Sequence, residues 1–300
     1  MHRIAVPLAA LILALGLATP LTAQEAAPAL ASEKVAEGIY VLVGEGGNIG
    51  LMVGEDAVFL IDDQFAPVTP AIRAEVAKHT DQPIRFVVNT HWHPDHTGGN
   101  EVLGEAGSLI VAHDNVRRRL SSDQFIQFFE SAVPAAPAQA LPVVTFNDGV
   151  TFHINGDTIR VFHVPRAHTD GDSIVVFEKA NVAHMGDTYF TDCYPFIDLS
   201  SGGSAPGLLA ALERVLDETD AATRYISGHG PVGSRADLEA YRDMLRTAID
   251  RVQALVDKGK SLKEIQAARP MADHDATWGS GHVPPDAFLS FVYRSLEQDG

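Results

Sequence analysis

The chain of 300 residues has a single cysteine, Cys193, so no disulfide can form within it. Such a residue is expected to act as a small buried hydrophobe. Positive charge is also scarce: 22 Lys and Arg stand against 39 Asp and Glu, a formal charge of −17. A surface this acidic repels nucleic acid phosphates and anionic lipid unless a dense basic patch offsets it. The densest such run, Arg117-Arg118-Arg119, reads as one solvated helix face. Nucleic acid is therefore not an expected partner, nor is an anionic membrane surface. Apolar runs of spanning length are missing too. The longest, residues 4–17, is too short to span a bilayer.

Hydrophobic residues make up 46% of the chain and charged residues 20%, the balance of a folded globular protein. At the N-terminus Arg3 precedes the uncharged apolar run, and Pro20 and small residues follow it. That is the pattern of a secretory signal, cleaved after Ala23 or after Ala31. It predicts export, most simply to a bacterial periplasm. Residues 24–32 then read as a disordered leader and residues 33–297 as one domain.

Past residue 33, short β-rich runs at 39–43, 48–53 and 57–61 alternate with Gly-containing turns, a hairpin-like series. Residues 69–79 have helical spacing, and 84–89 and 109–112 read as strands. A second strand series covers 143–146, 150–154, 158–164, 173–177 and 182–184. Helices are expected over 205–216, 235–256, 261–267 (Ser261 and Glu264 forming a capping box) and 285–296. Two halves that each open with hairpins predict two packed sheets with helices outside. Residues 121–142 carry Phe125, Phe128 and Phe129 and then a Pro/Ala-rich stretch. They read as a surface helix with its aromatics on the core, the alternative being a mobile apolar lid.

The chemistry concentrates in Asn89-Thr90-His91-Trp92-His93-Pro94-Asp95-His96-Thr97-Gly98-Gly99. In extended backbone alternate side chains point the same way, so His91 and His93 can reach one metal. Pro94 turns the chain, and Asp95 and His96 then face elsewhere, which suits two metals side by side. Imidazole and carboxylate together favour zinc. Further ligand types stand in Gly-marked turns that close strands: His168 in Ala167-His168-Thr169-Asp170-Gly171, Asp187 in Met185-Gly186-Asp187, and His229 in Ser227-Gly228-His229-Gly230. By contrast His113, His153, His163 and His184 read as packed or hydrogen-bonded, and His79, His274 and His282 as surface or loop residues.

His-x-His-x-Asp-His followed in order by His, Asp and His resembles the metallo-β-lactamase fold superfamily. The resemblance covers about residues 33–297. It implies a four-layer αββα sandwich with two zinc ions per chain, manganese or iron being the alternatives. His91, His93 and His168 would hold the first metal, Asp95, His96 and His229 the second, and Asp187 would bridge them. Asp62, closing the 57–61 strand, matches the acidic residue that orients a ligand from behind. The resemblance further implies hydrolysis of a small molecule by a zinc-bound hydroxide, with Asp95 passing a proton. In the main two-zinc β-lactamase subclass a cysteine takes the place of Asp187, with a lysine three residues on; here Phe190 stands there. A bridging aspartate resembles glyoxalase II, lactonases and phosphodiesterases instead. Expected export tips the reading to β-lactam amides, with lactones, thioesters and phosphodiesters next and a non-haem iron oxidoreductase behind them. Tyr189, Tyr194, Phe196 and Ser201 read equally as a substrate rim, with Ser200, Ser201 and Ser204 available to an anionic group, or as a structured loop packing its aromatics on the sheet.

Overall fold

The computed structural model describes residues 30–299; the expected signal segment and most of the leader lie outside them. Seven strands form the first sheet: β1 (Ala31–Ala36), β2 (Ile39–Val43), β3 (Ile49–Val53), β4 (Val58–Ile61), β5 (Ile84–Val88), β6 (Leu109–His113) and β9 (Val144–Phe146), adjacent in that order. β7 (Gln124–Ile126) and β8 (Ser131–Val133) pair only with each other. The second sheet runs β10 (Gly149–Ile154), β11 (Asp157–His163), β12 (Ser173–Phe177), β13 (Val182–His184) and β14 (Arg224–Ile226).

Alternation along the strands builds the layers. In β4, Val58 and Leu60 face outward onto Ile72 and Val76 of α1 (Thr69–Val76), while Phe59 and Ile61 face the other sheet. In β12, Val175 and Phe177 meet them from the opposite side, and Ile174 and Val176 turn outward. Both strands are therefore buried on both faces and read as continuous apolar runs. The short helices α2 (Pro94–Thr97), α3 (Asn100–Glu105) and α4 (Asp114–Leu120) follow along the first half. The second sheet's outer face is covered by α5 (Ala205–Glu218), α6 (Arg235–Val256) and α9 (Pro285–Asp299), with α7 (Leu262–Ala268) and α8 (Asp275–Trp278) between. The result is the expected αββα sandwich.

Two expectations need correction. β1 begins at Ala31, and Ser32 donates its hydroxyl to Glu75 at 2.7 Å, so ordered structure starts inside the presumed leader. Residues 124–133 form the β7–β8 hairpin, not a helix. Phe128 packs on Phe291 there, while Phe125 and Phe129 stay more than half exposed. His153, exposed on β10, meets Thr158 Oγ1 at 3.4 Å, within the expected hydrogen-bonded role. Among the described residues no helix is long and apolar enough to cross a membrane.

Candidate metal centre

Strand ends bring the site together. β4 with β5, and β13 with β14, run parallel, so Asp62, His91, Asp187 and His229 emerge at one edge of the sandwich. His93 is still extended (φ −62°, ψ 147°), and Pro94 opens α2, whose first turn carries Asp95. The expected turn at Pro94 is therefore present. His168 arrives from the β11–β12 loop and Asp187 from a 3-10 turn at Gly186–Thr188.

All seven expected ligands converge. His91 Nε2 lies 3.1 Å from His93 Nδ1, which lies 2.9 Å from His168 Nε2. That is near the ~3.3 Å edge of a tetrahedron with ~2.0 Å metal–nitrogen bonds. Asp187 Oδ2 faces this trio, 3.6 Å from His168 Nε2 and 3.9 Å from His91 Nε2. Its Oδ1 lies 3.0 Å from His96 Nε2. His229 Nε2 stands 3.2 Å from Asp95 Oδ2 and 3.6 Å from Asp187 Oδ2. Asp187 thus lies between a His91–His93–His168 group and an Asp95–His96–His229 group.

The opposite ring nitrogens are occupied, and that fixes the tautomers. His91 Nδ1 meets Thr90 Oγ1 at 3.0 Å, and that hydroxyl donates to Asp62 Oδ2 at 2.7 Å. His96 Nδ1 donates to the same Oδ2 at 2.8 Å. His168 Nδ1 donates to the Phe196 carbonyl at 2.8 Å. His93 Nε2 donates to Asp198 Oδ2 at 3.0 Å. Each of these rings therefore turns a lone pair inward. Asp62 accepts the bonds from Thr90 and His96 at a left-handed backbone position (φ 65°).

These residues fit metal ions. His96 Nε2 and Asp187 Oδ1 are buried and close, yet neither has a hydrogen-bond partner. Two such orphans in one cavity call for a cation. Charge balance points the same way. Burial lowers His91 well below the usual range and His168 to about 4, and neighbouring histidines push the same way. Burial would also lower His96 and His229, but Asp187 and Asp95 outweigh it, holding His96 well above and His229 at about 9. Burial would raise Asp95 and Asp187, but His96 and His229 hold both well below the carboxylate range. The cluster thus carries two carboxylates that demand positive charge. Close packing guards the geometry: a Cβ on Gly228 would fall 2.0 Å from Asp187 Oδ1, and one on Gly47 2.1 Å from His96 Cε1.

The rim differs from expectation. Tyr194 and Phe196 line the cavity beside the cluster, but Tyr189 is buried against Tyr241 and does not. Ser201 is buried as well; it accepts from Trp92 Nε1 at 3.2 Å and donates to Asp198 Oδ2 at 2.5 Å. Ser200 donates to Asp198 Oδ1, and Ser204 caps α5. Each of these serine hydroxyls is thus engaged within the scaffold. His282 is exposed, as expected, and also lines the cavity.

Sequence reasoning missed Asp198. Burial would raise its carboxyl, but His93 and the two serine hydroxyls hold it well below the usual range. The visible signal is Asp198-Leu199-Ser200-Ser201, whose aspartate caps the next two N–H groups. Nothing local names His93 as its partner. Asp172 was missed likewise. It accepts from Thr169 N and Oγ1, bracing the His168 loop, and burial raises it to about 8.

Comparison with known proteins agrees with this geometry. Residues 42–256 match the profile of the Metallo-beta-lactamase superfamily. A hydroxyacylglutathione hydrolase of Methylococcus capsulatus is 28% identical over 203 residues, 65% of this chain and 70% of its own. A solved metallo-beta-lactamase from Pontibacter korlensis superposes with a TM-score of 0.61 at 18% identity, over 73% of this chain and 99% of its own. A sec-alkylsulfatase from Pseudomonas sp. superposes with a TM-score of 0.69 at 19% identity, over 88% of this chain and 50% of its own. At those identities the two structures speak to fold alone.

Proposed function

The chain belongs to the metallo-beta-lactamase superfamily and is a metal-dependent hydrolase, and from that premise we propose an exported dinuclear zinc enzyme that cleaves the carbonyl–heteroatom bond of a carboxylic acid derivative. The observation that carries this reading is the inward lone pairs of His91, His93, His168 and His96 around the Asp187 carboxylate. Zinc held there supplies Lewis acidity toward a carbonyl and lowers the pKa of a water to about 7.

This chain's own residues do the rest. Asp62, Asp198 and the Phe196 carbonyl each hold one nitrogen of a ring and so aim the other inward. Asp187, lying between the two ligand groups, would help hold both ions. Asp95, whose side chain is about a quarter exposed at 23%, stands where a carboxylate can take a proton from water and return it to a leaving group. Esters, lactones and thioesters are the first substrates to consider, because the relative of Methylococcus carries a thioester hydrolase's name. Among the described residues lining the cavity none is Lys or Arg, so the β-lactam amide, whose carboxylate would need a cationic grip, is the second reading. It is supported by the expected export to the periplasm.

Hydrolysis of a cephalosporin, a lactone and a thioester by zinc-loaded protein, with and without chelator, tests both readings. Chelator-sensitive turnover of a lactone or thioester supports the first, and β-lactam ring opening alone supports the second. No turnover of any of them with two zinc ions bound contradicts both.

A further inference from the structure

The cavity beside the metal cluster, about 440 Å³, has walls of a consistent chemistry. Phe196 lies 5.9 Å from the His93 ring and nearly parallel to it. Phe129, at the tip of the β7–β8 hairpin, stacks edge-on against Phe196 at 5.0 Å. Phe190 lies parallel to His229 at 5.6 Å. Phe65 and Ile126 complete the apolar wall. An aromatic path therefore leads from the ligand histidines to the surface. At its outer end Phe129 is 53% and Phe65 39% exposed, large rings left facing water at a mouth. Outside the metal cluster the charged lining residue is Glu45, an anion.

Resting on the hydrolase reading above, we propose that this enzyme selects substrates by an uncharged, apolar acyl group, held between Phe129 and Phe65 at the mouth and Phe196 and Phe190 within. The polar end meets the metal cluster, and the acyl chain runs outward along the rings. Binding it covers the two exposed phenylalanines, which gives the water-facing rings a purpose. A chain ending in a carboxylate would place its charge beside Glu45 with no Lys or Arg among the described lining residues. Phe125, equally exposed on the same hairpin, does not line the cavity and takes no part.

Binding can be read without turnover. Titration calorimetry on the full chain, metal-free and zinc-loaded, would compare octanamide, butyramide and the eight-carbon amide ending in a carboxylate. Each buried methylene is worth up to about fourfold, so a half-covered chain predicts octanamide binding at least tenfold more tightly than butyramide. The carboxylate-ended amide is expected to bind at least tenfold more weakly than octanamide. Phe129→Ala and Phe65→Ala should each weaken octanamide about fivefold to tenfold, and Phe125→Ala less than twofold. These rings are exposed, so their truncation spares the core. Equal binding of the two neutral amides, or equal loss in Phe125→Ala and Phe129→Ala, overturns the proposal. Octanamide binding as described, with no hydrolysis of p-nitrophenyl octanoate by the zinc-loaded chain, would contradict the hydrolase reading and leave the apolar site in place.

Discussion

Asp198→Asn is the substitution that tests the hydrogen-bonded surroundings of the metal cluster most sharply. Asp198 Oδ1 accepts from the backbone N–H of Ser200 and Ser201 at 3.0 and 3.2 Å and from the Ser200 hydroxyl. Every partner of that oxygen is a donor. An asparagine must therefore keep its carbonyl oxygen there and put its NH2 where Oδ2 now faces His93 Nε2. The amide then donates to Nε2, and the ring proton moves to Nδ1, the nitrogen aimed at His91 and His168. That nitrogen can no longer bind a metal without a tautomer change. Loss of such an outer partner weakens metal affinity about 10–100-fold, or about 1.4–2.8 kcal/mol. Zinc competition against a chromophoric chelator reads this directly, with far-UV circular dichroism confirming the fold. Zinc affinity within twofold of the parent protein would refute the tautomer argument.

The remaining predictions use other parts of the molecule. His91→Ala or Asp95→Ala should reduce chelator-sensitive turnover more than ~100-fold, beyond the loss of an outer partner. The fold should survive, and retained hydrolysis by both purified variants would contradict the ligand assignment. Gly228→Ala drives a methyl into Asp187; bound zinc measured by elemental analysis should fall below one per chain, with about 1–3 kcal/mol of strain in urea melts. Normal zinc content would mean that the carboxylate can move aside. At the C-terminal end of β6, His113 Nδ1 accepts from Asn115 N–H and caps α4, its ring stacked 3.8 Å from that of His163. Burial, then the neighbouring imidazole, lowers His113 to about 4. The folded state thus binds fewer protons than the unfolded one. This stability is full above pH ~6.5 and is lost as pH falls toward 4, by about 1–3 kcal/mol. His113→Asn keeps a capping oxygen without titrating. Its urea stability should drop less than the parent's between pH 7.5 and 4.5, and equal drops would remove His113 from the acid response.

Much of the centre was legible because each ligand is announced locally. His91 to His96 sit in one run, and His168, Asp187 and His229 each stand in a glycine-marked turn after an apolar strand. Asp187 and Gly228 illustrate why glycine marks them: the backbone passes too close to the carboxylate for a side chain. The outer partners were less legible, because the Asp198–His93 bond joins residues 105 positions apart. Tyr189 and Ser201 look like rim residues in sequence, since polarity and aromaticity do not say which way a loop turns. Both turn inward, onto Tyr241 and Asp198. The β7–β8 hairpin misled through Phe125, Phe128 and Phe129, whose spacing of 3 and 4 matches a helix face. Its turn is made by Glu130 at φ 48°, a conformation that sequence does not announce for glutamate. β14 is three residues long and acquires its strand character from pairing with β13.

The central claim is that seven side chains of this one chain hold a metal pair that performs hydrolysis. Stepwise zinc titration of the chelator-stripped protein, with turnover of a thioester or lactone followed at each addition, tests it most directly. The account predicts two tightly bound equivalents, with hydrolysis reaching its plateau as the second site fills and vanishing on renewed chelation. Saturation at two equivalents without hydrolysis, or hydrolysis that persists in the stripped protein, would contradict it.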